Sequence, residues 1–77
     1  MKNLRTFLAT IEKEGNNYMT LCPVMDIASQ GDMVEESKAN LYEAVELFFE
    51  HAPDSEIEHR LQADIFITNM QIEVEQA

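Results

Sequence analysis

Apolar residues fall in three short strand-like clusters, then in a helical stripe, then in a strict alternation that runs to the end of the chain. Leu4 to Glu12 is rich in Thr, Phe, Leu and Ile, and Tyr18 to Cys22 resumes that character. Between them "KEGNN" supplies Gly and Asn, which tolerate positive φ, so the spacing predicts a β-hairpin. Pro23 has no N–H to give to a ladder and is expected to end the second strand. A third strand is expected over Val24 to Gln30, with Gly31 as its breaker. Three short strands with tight links predict an antiparallel meander.

The segment Ser29 to Glu50, "SQGDMVEESKANLYEAVELFFE", is acidic in its first half and nearly all apolar in its second. Asp32 stands where an N-cap belongs, and Glu35 three residues on completes a capping-box pattern. Glu35 and Glu36 also suit the positive end of a helix dipole. At about 100° per residue, Val34, Ser37, Leu41, Ala44, Val45 and Phe48 share one face, flanked by Tyr42 and Phe49. The expectation is an amphipathic helix of about four to five turns laid on the sheet. Lys38 falls near the middle of the apolar face, where its stem is expected to snorkel past the sheet edge. Leu47 points away from the core among Glu36, Glu43 and Glu50; an isolated exposed leucine is ordinary, but apolar groups on more than one side of the helix's C-terminal half make it a candidate contact surface.

"APDSEIEHRL" holds a breaker and a second capping box, Ser55 to Glu58, with Ile57 and Leu61 anchoring a short helix. The tail "DIFITNMQIEVEQA" alternates: Phe66, Thr68, Met70, Ile72 and Val74 face one way, Asn69, Gln71, Glu73 and Glu75 the other. That predicts a fourth strand with one wet face. Its edge, at Met70, Ile72 and Val74, is a candidate for pairing with a second subunit. The expected fold class is α+β, in the order β-β-β-α-(short α)-β, as a single domain over residues 1–77 without repeats or linkers.

At 77 residues, folding hides only about 60–65% of the surface the unfolded chain exposes. A core of that size supplies about 3–5 kcal/mol, so packing against another chain is an expected source of stability. The composition, 45% hydrophobic and 26% charged, is that of a globular protein. Fifteen acids against five Lys and Arg give a formal charge of −10. That charge repels phosphate, which argues against direct binding of nucleic acid; it favours a basic partner or serves solubility alone. A lone cysteine, Cys22, excludes an internal disulfide framework and suits a reducing cytoplasm. The first residues lack the apolar core and cleavage site of a signal peptide, and no apolar run approaches the roughly 20 residues that span a bilayer. A soluble cytoplasmic protein is expected, with no membrane association.

Candidate chemistry is sparse. His51 and His59 lie eight apart across a breaker and fit exposed helix ends better than a zinc site. Cys22 has no base or resolving cysteine near it in sequence. Neither a Gly-rich phosphate loop nor G-x-S-x-G is present. No cofactor and no metal are expected.

Taken together, Ile11-Glu12, Tyr18, Cys22-Pro23, Ser29-Gln30-Gly31-Asp32, Glu35-Glu36, Asn40-Leu41, Glu43-Ala44 and Glu46-Leu47 follow one another in an order that resembles the HicB antitoxin family. The likeness extends through "EIEHRLQADIFIT" and so covers essentially the whole chain. It implies a pared-down RNase H-like fold. It also implies a function: binding and covering a small basic toxin of the HicA type, which cleaves mRNA with a histidine. A homo-oligomer, dimer or tetramer, is expected. Asp26, Glu35, Glu36 and Glu43, with the exposed Leu47, are the candidate partner surface. Ser37 and Lys38 stand where the family often has small or apolar residues, which is expected to loosen the helix on the sheet. Many family members carry a further DNA-binding domain for which this chain has no room, so autorepression by this chain alone is not expected.

The implied fold raises the question of residual nuclease activity, which needs converging carboxylates that hold two metal ions about 4 Å apart. The expected first strand has no acid in its interior, Glu12 stands at its end, and Asp64 opens the fourth strand instead of closing it. An enzyme is therefore not expected. The alternatives to an antitoxin are an orphan self-associating protein of the same fold and a degenerate RNase H-like nuclease.

Overall fold

Gly15 and Asn16 make the first turn. In the computed structural model, which describes residues 4–75, β1 (Thr10–Glu14) pairs antiparallel with β2 (Asn17–Cys22), and Glu14 faces Asn17. Gly15 sits at φ +62° with open space around its Cα, so backbone conformation is what asks for glycine there. Met1–Asn3 and Gln76–Ala77, the ends of the expected single domain, lie outside the described residues.

β3 (Ile27–Gly31) pairs antiparallel with the other side of β2, and the three strands lie in the sheet in chain order. The third strand begins later than the expected Val24. Residues 23–26 are consumed by a turn in which Asp26 N–H donates to the Pro23 carbonyl at 3.2 Å. Asp26 takes φ 55°, a left-handed conformation that aspartate tolerates better than most residues. Gly31 ends β3 from inside the ladder, opposite Tyr18.

The first strand is also displaced, to Thr10–Glu14 from the expected Leu4–Glu12. β2 ends at Cys22, opposite Ile27 on its far side, and Pro23 follows without an N–H, so residues 4–9 meet no ladder to join. Phe7 turns instead toward the helix, its ring stacked on Phe49 at 6.0 Å between centroids.

α1 (Val34–His51) starts two residues after the expected cap. Met33 is its N-cap and no side chain caps it, so the Asp32–Glu35 box does not form. Glu36 reaches back to the Asp32 N–H at 3.4 Å, a weak capping contact shifted by one residue. Its far end is set by Pro53, which forces Ala52 out of the helix to ψ 148°. α2 (Asp54–Leu61) begins directly behind that proline, so Ser55 lies inside the helix and the second expected box is absent too.

α1 packs chiefly over β3 and to a lesser extent over β2. The core is Cys22, Met25 and Leu41, with Phe7, Val24, Ile27, Val45, Phe48, Phe49 and Leu61 packed around it. Full burial of a side chain such as Leu41 contributes about 1.5–3 kcal/mol. The helix face is as its periodicity predicts, with Ser37 and Leu41 buried and Val34, Ala44, Val45, Phe48 and Phe49 half-buried. Lys38 is exposed.

Ser37 tightens the helix on the sheet instead of loosening it. Fully buried, it offers its carbonyl to Thr20 Oγ1 at 3.1 Å, and Thr20 is itself buried in mid-β2. Gly31 lies directly beneath, where an added Cβ would fall 2.7 Å from the Ser37 nitrogen. Small residues on both sides let backbone approach backbone. Nearby, Asn40 Nδ2 donates to the Gln30 carbonyl at 2.8 Å and ties the helix to the outer edge of β3.

Residues 64–75 do not form the expected fourth strand within the single chain. They join no ladder and every residue there is exposed. Alternation supplies a face, but a strand also needs a neighbour to take its N–H and C=O groups.

Candidate functional site

α1 presents three surfaces, fixed by what each flank touches. Its 18 residues span about 27 Å. Asn40 reaches β3, so at about 100° per residue Glu36, Glu43 and Leu47 lie along the flank above the β3 edge. Phe49 touches Phe7, so Tyr42 and Phe49 lie along the opposite flank. Glu35, Glu46 and Glu50 form the outward crest between them, all exposed.

The sequence-predicted acids therefore divide. Glu35, Glu36 and Glu43 form one ridge with Glu46 and Glu50, and Leu47, 45% exposed, is set among them. Asp26 does not belong to it. It sits at the β2–β3 turn, beside the Met25 carbonyl to which α2 is fastened, and its left-handed backbone gives it a structural task. Asp26→Val is expected to lower unfolding free energy by about 1–2 kcal/mol, whereas Asp26→Gly holds stability within about 0.5 kcal/mol. Urea melts of both variants check this. Equal melts for the two would refute the backbone argument.

α2 is held at that turn by Arg60. Its Nη1 donates to the Met25 carbonyl at 2.6 Å, its Nε to Glu56 at 3.1 Å, and its guanidinium stacks 4.2 Å over the Phe48 ring. Sequence periodicity carries a sign only of the Glu56 contact, four positions away, because the other two partners are 12 and 35 positions away and one is a backbone carbonyl.

On the β1 side, α1 leaves an open groove of about 810 Å³ between itself and the Leu4–Ala9 segment. Phe7, Leu8, Leu41, Val45 and Phe49 give it an apolar lining. The sequence pattern carries no sign of this groove, because it places residues 4–9 in the sheet. Met70, Ile72 and Val74, the predicted pairing edge, lie in the tail, each about two thirds to three quarters exposed.

Glu12 stands at the centre of β1, not at its end, and is exposed. His51 lies 3.8 Å from Glu50 at the end of α1. Among the described residues no three His, Cys, Asp or Glu side chains come close enough together to hold a metal ion. No helix there is long and apolar enough to cross a membrane. Cys22 is a free, buried thiol. Set against protein-family models, curated proteins and solved structures, the chain matches none.

Proposed function

We propose that this chain is a non-catalytic protein-binding module whose contact surface is the acidic ridge of α1. More particularly, we propose a HicB-type antitoxin that covers a small basic mRNA-cleaving toxin of the HicA type. The observation that carries the first step is the ridge itself: glutamates at 35, 36, 43, 46 and 50 on one side of a helix, with an exposed leucine among them. Such a ridge steers a cationic protein and repels its RNA competitor, while Leu47 supplies an apolar contact once charge has brought the partners together. The second step is supported by the residues of the resemblance, which have distinct roles in the meander-and-helix core. Gly31 permits the close approach, Asn40 ties helix to strand, and Leu41 fills the core.

In this proposal the protein works in the cytoplasm as a homo-oligomer. The alternating tail becomes the fourth strand of an RNase H-like sheet when it gains a partner. The exposed tail also favours a second reading, an orphan self-associating protein of this fold with no toxin.

Tagged protein captured from the native host at moderate salt is expected to bring down a stoichiometric small basic protein that high salt releases. That protein, expressed alone, is expected to arrest growth, and co-expression of this chain to relieve the arrest. Glu36→Lys with Glu43→Lys should weaken capture about 10–100-fold, and Leu47→Asp should weaken it without altering the fold. Recovery of the chain alone would favour the orphan. Capture unchanged by all three substitutions would remove the ridge from the interface.

A further inference from the structure

Among the described residues, two segments with strand-like sequence join no ladder: Leu4–Ala9, and the tail from Ile65 to Val74. We propose that they are each other's partners across two copies, so that the tail of one protomer docks in the groove and along the β1 edge of the other, reciprocally. This inference builds on the self-association proposed above and is independent of the toxin.

Four observations converge on a second copy as the occupant. First, the tail leaves the body. α2 runs out through backbone bonds from Gln62 to the Glu58 carbonyl and from Ala63 to that of Arg60, with Gln62 still in helical conformation. No Gly or Pro follows Pro53 to reverse the chain. The Cα radius of gyration is 15.7 Å, against about 11–12 Å for a compact domain of this length. Second, the tail is an unspent apolar strip, with Phe66 90% and Met70 75% exposed.

Third, the lengths agree. Ten residues from Ile65 to Val74 extend about 33 Å, and the eleven from Leu4 through Glu14 about the same. β1 is an edge strand, with one side unpaired.

Fourth, the strip is uncharged. In a chain of net charge −10, the run Ile65–Ile72 carries no charged residue, so two anionic protomers can meet along it with little repulsion. Antiparallel docking sets Glu73 and Glu75 toward Arg5, with Glu46 and Glu50 also lining the groove, and parallel docking sets them toward Lys13, flanked by Glu12 and Glu14.

Reciprocal exchange of this kind closes a two-fold dimer. Two tails in two grooves bury on the order of 2,000 Å², the size of a stable interface. It also accounts for the two places where sequence alternation and the single-chain fold disagree.

Sedimentation of the full chain across a range of concentrations tests the proposal, alongside three variants: Ile67→Pro, Met70→Lys and Leu8→Lys. None of these residues belongs to the buried core, and helical circular dichroism monitors folding of each. The expected result is a wild-type dimer and an affinity weakened about 100-fold in both tail variants and in the groove variant. A wild-type monomer would overturn exchange and self-association together. A dimer that survives the tail substitutions would overturn exchange and leave self-association standing. A dimer broken by the tail variants but not by Leu8→Lys would mean that tails pair with tails, which also overturns it.

Discussion

Replacing Gly31 by alanine is expected to lower unfolding free energy by about 2–3 kcal/mol, a large part of the total for so small a core. The methyl would fall 2.7 Å from the Ser37 nitrogen and 3.1 Å from the Glu36 carbonyl carbon. Both are backbone atoms of the first turn of α1, so no rotamer change relieves the contact. The helix must rise from the sheet, which stretches the 3.1 Å bond from Thr20 to the Ser37 carbonyl and leaves two buried groups poorly paired. Urea melts followed by far-ultraviolet circular dichroism should show the midpoint falling with the slope nearly unchanged. A Gly31→Ala midpoint equal to that of the parent would mean that the helix start is not held this closely.

Arg60→Ala is expected to release α2, at about 2–3 kcal/mol. The substitution removes a charge-assisted bond to the Met25 carbonyl and a cation stacked on Phe48, and it uncovers the packing beneath the arginine stem. The bond to Glu56, partly open to water, adds little. Lysine is a poor substitute, because an ammonium can neither stack flat on the ring nor fork to two acceptors. Hydrogen exchange is the sharper measurement. Residues 54–61 should lose protection in Arg60→Ala and Arg60→Lys while the middle of α1 keeps it. Uniform loss across the chain would show that Arg60 supports the whole core and not one helix.

What could be read in the sequence was local, and what could not was relational. β2 is within one residue of its predicted start, and the buried face of α1 is the one its periodicity names, because both signals depend on neighbours a few positions away. The caps were misplaced by a residue or two, since Met33 and Pro53 end the preceding loops by backbone geometry and not by side-chain bonds. Strand status at Leu4–Ala9 and in the tail depends on whether a ladder is within reach, which alternation does not encode. Of the candidate surface, the helix acids are one ridge as their spacing implies. Asp26 was separated from them only by the path of the β2–β3 turn. The groove and the hold of Arg60 on Met25 and Phe48 arise from contacts between distant segments and left no periodic trace.

The chain-order arrangement of the three strands has a kinetic consequence. Each strand pairs with the one just made, across links of two to four residues, and α1 then closes over the strand immediately before it. Little loop-closure entropy is lost before contacts form, so the meander and α1 should assemble at the fast end of the range for mixed folds. The clamp from Arg60 back to Met25 spans 35 positions and closes a long loop. The step that seats α2, and with it the root of the tail, is therefore the last on the way in and the first on the way out.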